Sequence, residues 1–226
     1  SENRAARRLL EAHLKGLPQY IQAGEVIALA MPRIRGRALG LWHPMHPDEG
    51  AAVCALHNAA AAARQFAPVL DPTTMTATGA EFHVCRDSAG KPAACMALWN
   101  QHAYKQVVAR AYRQPLATLR PLYNLFAGAC RKVTLPRPGQ PVEQTYLAFL
   151  AADKKRAPTL SELIADALAK CSTAVLTLGV SASDPGFPEI VARFRPSSYR
   201  MTVYTVAYSD PPRLDGRPVQ PEIAVL

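Results

Sequence analysis

The stretch VEQTYLAFLAADKKRAPTLSELIADALAKCSTAVLTLGV, residues 142–180, decides the fold. Val142 to Ala151 is strongly apolar, with Tyr146, Leu147, Phe149 and Leu150, and predicts a strand. Thr159 to Cys171 predicts a helix: Thr159 takes the N-cap, Glu162 three residues later completes a capping box, and Leu160, Leu163, Ile164, Ala167 and Leu168 recur on one face. Ala174 to Val180 is a second apolar run, expected to be a strand buried on both faces. A strand, a helix and a strand in this succession imply two parallel strands joined by a right-handed crossover.

Outward from this unit, Glu81 to Arg86 and Ala93 to Trp99 alternate like strands about the turn cluster from Asp87 to Pro92, which makes a β-hairpin. Asp48 to Arg64 is an alanine-rich helix with Asp48 as its expected N-cap, followed by a turn closed by Pro68 and Pro72. After the hairpin, Val107, Val108 and Tyr112 extend a strand, and Leu116 to Phe126 reads as a helical insert behind Pro115. Beyond Val180, Phe187 to Phe194 reads as helix and Tyr199 to Tyr208 as strand. Pro211 to Pro221 is a polar loop, and Glu222 to Leu226 is expected to be a closing strand. Near the start, Asn3 to Leu14 is helical up to Gly16 and Pro18, Val26 to Met31 is a strand, and Arg33 to Arg37 is a basic linker. The order implies an α/β fold, a mixed sheet with helices on both faces.

Three stretches carry a resemblance: Leu98-Trp99-Asn100-Gln101 with Tyr104-Lys105-Gln106 and Arg120-Pro121-Leu122-Tyr123-Asn124; Leu178-Gly179-Val180 with Asp184-Pro185; and Ser198-Tyr199 leading to Tyr204-Thr205-Val206, with Pro221-Glu222 behind. With the element order, they resemble the GNAT superfamily of N-acetyltransferases, in a group whose chains carry two GNAT-like halves in tandem. The resemblance spans roughly Arg37 to Leu226 and implies a mixed, mostly antiparallel twisted sheet. Asn3-Arg4-Ala5-Ala6-Arg7 with Leu9-Leu10-Glu11 looks like the late helix of a first half, and Leu17-Pro18-Gln19-Tyr20 and Val26 to Pro32 look like its closing strands. The implied division is therefore 1–34, the end of an incomplete GNAT-like domain, and 35–226, a GNAT-like domain.

That resemblance implies acetyl transfer from acetyl-CoA to a small-molecule or peptide amine. The family holds the CoA pyrophosphate on a glycine-rich loop ahead of a helix, where backbone N–H groups and the helix N-terminus meet the phosphates. Here the corresponding segment, Asp153 to Thr159, has no glycine, and Pro158 lacks an N–H. Lys154, Lys155, Arg156 and the helix-capping Thr159 are the residues expected to meet the cofactor. By position, Glu143 is the expected general base and Tyr199 the general acid. The alternative is a catalytically degenerate GNAT-like domain serving as a structural or regulatory partner of a first half.

Composition narrows the field. Of 226 residues 49% are hydrophobic, which supports a sizeable core, and only 19% are charged, which argues against disorder. The net charge of +9 favours anionic partners, but the densest basic run, Lys154-Lys155-Arg156, is too short for a nucleic-acid tail. Trp99, Tyr104, Tyr112 and Tyr123 interleave with Lys105, Arg110, Arg113 and Arg120, and their spread over several faces reads as packing rather than a nucleic-acid surface. Cys54, Cys85, Cys95, Cys130 and Cys171 form no CxxC and no disulfide framework, which implies a reducing, cytoplasmic setting and no metal. His43 and His46 near Asp48, and Cys54 near His57, read as coincidence and as helix packing. No apolar run is long enough to span a bilayer, so no membrane partner is expected. A homo-oligomer is compatible with the sequence.

Overall fold

In the computed structural model, which describes residues 4–12, 14–33, 38–129, 133–210 and 212–226, the strands are β1 (Gln19–Pro32), β2 (His43–Pro44), β3 (Glu81–Arg86), β4 (Pro92–Trp99), β5 (Gln144–Ala152), β6 (Val175–Ser181) and β7 (Ser197–Ala207). The helices are α1 (Arg4–Leu10), α2 (Gly50–Ala61), α3 (Pro72–Thr78), α4 (Leu116–Ala129), α5 (Leu160–Lys170) and α6 (Phe187–Phe194). One seven-stranded sheet runs in the order β2-β3-β4-β5-β6-β1-β7. Its neighbours are antiparallel except β5 and β6, the parallel pair that flanks α5. From Gln19 to Pro32, the segment expected to end a first half thus lies inside this sheet, bonded to β6 on one side and β7 on the other.

Alternation along the strands sorts the core into two layers. Ile27, Leu29 and Met31 of β1, with Leu176, Leu178 and Val180 of β6, face α5 and α6. Of the face expected on α5, Leu163, Ile164, Ala167 and Leu168 are buried and Leu160 partly so, and each buried large side chain contributes about 1.5–3 kcal/mol by leaving water. On the other face, Val84, Cys95, Ala97 and Ala148 pack under Val53 and Cys54 of α2, Met75 of α3 and the C-terminal Ile223 and Ala224.

The α5 capping box forms as read: the Thr159 hydroxyl accepts from the Glu162 N–H and the Glu162 carboxylate accepts from the Thr159 N–H at 2.9 Å. Asp166 on α5 accepts three backbone N–H groups, from Gly40, Leu41 and Trp42, at 3.1, 2.9 and 3.1 Å. That carboxylate fixes the chain entering β2 against the α5 layer.

Several expectations are corrected. Asp48 does not cap α2; it sits in a 3-10 turn, Pro47–Glu49, that precedes the helix. The turn at Pro72 is the helix α3, begun by Asp71, whose side chain accepts from the Thr74 N–H, and ended by Gly79 in the left-handed region. Tyr112 extends no strand; Val108 makes one isolated bridge to Pro141. Glu222 to Leu226 is not a strand either. The Glu222 carboxylate accepts from the Ala224 N–H and the Glu222 carbonyl from the Val225 N–H, which closes a turn. This segment crosses the sheet face instead of joining an edge. Its passage is close: a Cβ on Gly179 of β6 would lie 2.6 Å from Ile223, and one on Gly24 of β1 would lie 2.9 Å from Val219. Asn3, His13, Cys130 and residues 34–37 of the linker lie outside the described residues.

Candidate active-site cleft

The parallel pair is bonded only at its start, through Gln144, Thr145 and Tyr146 opposite Val175, Leu176 and Thr177. Beyond that point β5 and β6 separate. Between their open ends lies a cleft of about 690 Å3, lined by Phe149 to Ala152, Leu178 to Val180, the α5 start at Thr159 and Leu160, and Pro218, Gln220, Pro221 and Glu222. On the α2 side it is closed by His57, Ala60, Ala63 and Arg64.

At the cleft, β5 is kinked. Phe149 has φ 53°, a left-handed backbone rare for an aromatic residue. The pairing with β4 slips there, from Ala97 opposite Ala148 to Cys95 opposite Ala151, which is a β-bulge. Ala148 and Phe149 consequently share one face of the sheet. The Phe149 ring stacks on Phe82 and Trp99, at 5.7 and 6.2 Å, and meets His57 edge-on at 5.8 Å. These contacts hold the strained backbone. The bulge releases the Phe149 N–H from the ladder, and the Glu222 carboxylate accepts it at 2.8 Å.

Glu222 is the carboxylate at the centre of this arrangement. Desolvation raises its pKa above the ordinary glutamate range, against the opposing pull of the Phe149 and Ala224 N–H groups. As a residue it is only half-buried, while its carboxyl group is enclosed. Its segment is anchored from outside the cleft: Gln101, itself buried, donates to the Ala224 carbonyl at 2.6 Å and Lys105 to the Ile223 carbonyl at 3.3 Å. Burial likewise lowers the pKa of His57, which favours the neutral ring.

Charge in the cleft is mixed. Arg64 pairs with Asp184 at 3.8 Å, Glu189 accepts the Ser161 hydroxyl, and Lys154 is the second lining cation. The carboxyl groups of Asp184, Glu189 and Glu222 line the cleft beside these cations.

The expected site residues are dispersed. Lys154 and Thr159 line the cleft. Lys155 is exposed beside it. Arg156 is held by Asp153 at 2.8 Å and by Asp87 of the β3–β4 turn at 2.9 Å, so it ties the hairpin to the loop before α5. Glu143 precedes β5 at the closed end of the pair, exposed, six residues or roughly 20 Å of strand from Phe149. Tyr199 is on the edge strand β7, 65% exposed, paired with Ala28 and outside the cleft lining. The geometry instead brings forward Phe149 and Glu222. Nothing in the apolar run around Phe149 signals a bulge. Glu222, the lone charge in an apolar segment behind Pro221, was the visible sign.

The sequence matches no family model and no curated protein. Among solved structures the fold is similar to that of Saccharomyces cerevisiae N-myristoyltransferase, solved with bound myristoyl-CoA. The TM-score is 0.53 at 8% identity, over 83% of this chain and 51% of that one. A conserved protein from Enterococcus faecalis described as a probable N-acyltransferase aligns at 8% identity over 91% of this chain and 43% of its own, with a TM-score of 0.46. The chain thus spans about half the length of the N-myristoyltransferase. The architecture is GNAT-like, as the resemblance implied: an α/β fold on a mixed, mostly antiparallel sheet.

Proposed function

We propose that this chain is an N-acyltransferase that takes an acyl group from a CoA thioester, acetyl-CoA being the simplest donor, and passes it to the amine of a small molecule or peptide. The observation that carries the reading is the Phe149 N–H, freed by a strained bulge and aimed into a cleft between diverging parallel strands. A preorganised N–H in a dry site is what a thioester carbonyl needs as negative charge develops on its oxygen. Lys154 and the N-terminus of α5 at Thr159 would meet the phosphates at the cleft mouth.

Glu222 takes the part first expected of Glu143. When a carbonyl oxygen replaces it on the Phe149 N–H, the carboxylate is released and accepts a proton from the ammonium form of the acceptor. The freed amine lone pair then forms the carbon–nitrogen bond, the nitrogen gives its second proton to solvent, the carbon–sulfur bond breaks, and the thiolate leaving group takes the first proton back from Glu222. A raised pKa suits both transfers. Cys54, Cys85, Cys95 and Cys171 are free and buried, which accords with a reducing compartment such as the cytoplasm. The segment up to Pro32 fits the reading of a preceding half that ends as a strand in this sheet.

One observation favours the non-catalytic reading: the Glu222 carboxylate already fills the position a thioester would use, beside a loop with no glycine. Calorimetry with acetyl-CoA and longer acyl-CoAs separates the two. Binding that weakens in Lys154→Glu, with amide formation cut about a hundredfold or more in Glu222→Gln, is the expected result. A folded chain that binds none of these thioesters is a scaffold.

A further inference from the structure

Between His102 and Val142 the sequence carries seven Lys or Arg and no Asp or Glu, which leaves the rest of the chain close to charge balance. This insert contains α4, and α4 is built inside out. The face it turns inward consists of Arg120, Asn124 and Ala127, at helical spacing, half-buried or buried. Asn124 donates to the Leu135 carbonyl and accepts from the Leu135 N–H, both at 2.8 Å, and Arg120 donates to the same carbonyl at 3.4 Å. The face turned to water is Leu119, Leu122, Tyr123, Leu125 and Phe126, with Leu125 72% and Phe126 66% exposed. A helix on a domain surface normally shows the reverse pattern, and a contiguous exposed apolar stripe marks an interaction surface. The two hydrogen bonds with Leu135 join the helix to the segment that follows it within the insert. Tyr104, Val107 and Val108 add exposed apolar surface from the same insert, and Arg110, Arg113 and Arg137 of the insert are exposed as well.

We infer that α4 is a docking element for an anionic lipid surface. The helix lies in the interface, its leucines and Phe126 reach the acyl boundary, and the cations of the insert meet the headgroups. No helix of the described residues is long and apolar enough to cross a membrane, so the contact is peripheral. Charge selects this occupant over a second copy of the chain, because two such inserts brought together would each add like charge to the other. Nucleic acid would satisfy the cations but leave the apolar stripe uncovered.

The test is co-sedimentation of the whole chain with vesicles of phosphatidylcholine alone and of phosphatidylcholine with phosphatidylglycerol. Binding to the phosphatidylglycerol vesicles, weakened by salt, is expected. It should fall about tenfold or more in Leu122→Gln/Phe126→Gln, whose altered side chains lie in water in the free protein. Equal binding by that variant would reduce the effect to charge alone and overturn the inference, as would no binding to either vesicle. A dimer that the same variant dissolves would give the stripe to a second copy. Preference for single-stranded RNA over vesicles would give the insert to nucleic acid.

Discussion

Phe149 and Glu222 form a single device at the residue scale: one holds an N–H out of the sheet and the other covers it. Two consequences follow for Glu222. In catalysis it must be ionised, so turnover should rise with pH through a midpoint above the ordinary value of 4.5, and Glu222→Gln should flatten that limb and cut turnover by about a hundredfold or more. In stability the sign is opposite. A carboxyl whose folded pKa is raised contributes its full stability below the unfolded value and loses it as pH rises through the folded one. Glu222→Gln should therefore gain on the parent, by urea unfolding, as pH climbs from 4.5 upward, and a constant difference would show that the carboxyl is not desolvated. Phe149→Ala should cost about 3–5 kcal/mol, since the aromatic contacts with Phe82, Trp99 and His57 go with the ring. The role of Phe149 was not legible beforehand, and that of Glu222 showed only as a lone charge behind Pro221. A positive φ in the middle of an apolar strand leaves no mark in residue types, and Glu143 was preferred because position along a strand can be read from sequence while the slip of a ladder cannot.

Among elements, α5 was the most legible because all its signals are local: a capping pair three residues apart and an apolar stripe at helical period. The helix α3 was missed because Pro68 and Pro72 read as closing a turn, although Asp71 and Gly79 stood at its two ends. The last five residues misled for a different reason. Ile223 and Ala224 bury their apolar surface by crossing the sheet, and only Gly179 beneath records that crossing. Gly179→Ala should consequently cost about 1–3 kcal/mol by driving a methyl group into Ile223, and Ile223→Ala should recover part of that loss in the double variant. Simple additivity in denaturant unfolding would mean that the two residues do not meet. Asp166→Ala should cost about 3 kcal/mol, because it strands the N–H groups of Gly40, Leu41 and Trp42.

For the whole molecule, the sheet is continuous only because β1 lies between β6 and β7. A chain starting at residue 38 should therefore lose its cooperative thermal transition, and a sharp transition in that truncation would show that β1 is dispensable. The hairpin and the parallel unit were legible because each closes within a short span of chain. The place of β1 was not, because its partners are distant: Glu25 is bound to Arg200, 175 residues away. That distance also has a meaning in time. At a synthesis rate of about 5–20 residues per second, β1 waits roughly ten to thirty-five seconds for the strand that flanks it on its far side. Until β6 is made, a largely apolar fourteen-residue strand has both hydrogen-bonding edges open, so nascent chains of this protein should depend on holding chaperones, and should aggregate when translation stalls between β1 and β6.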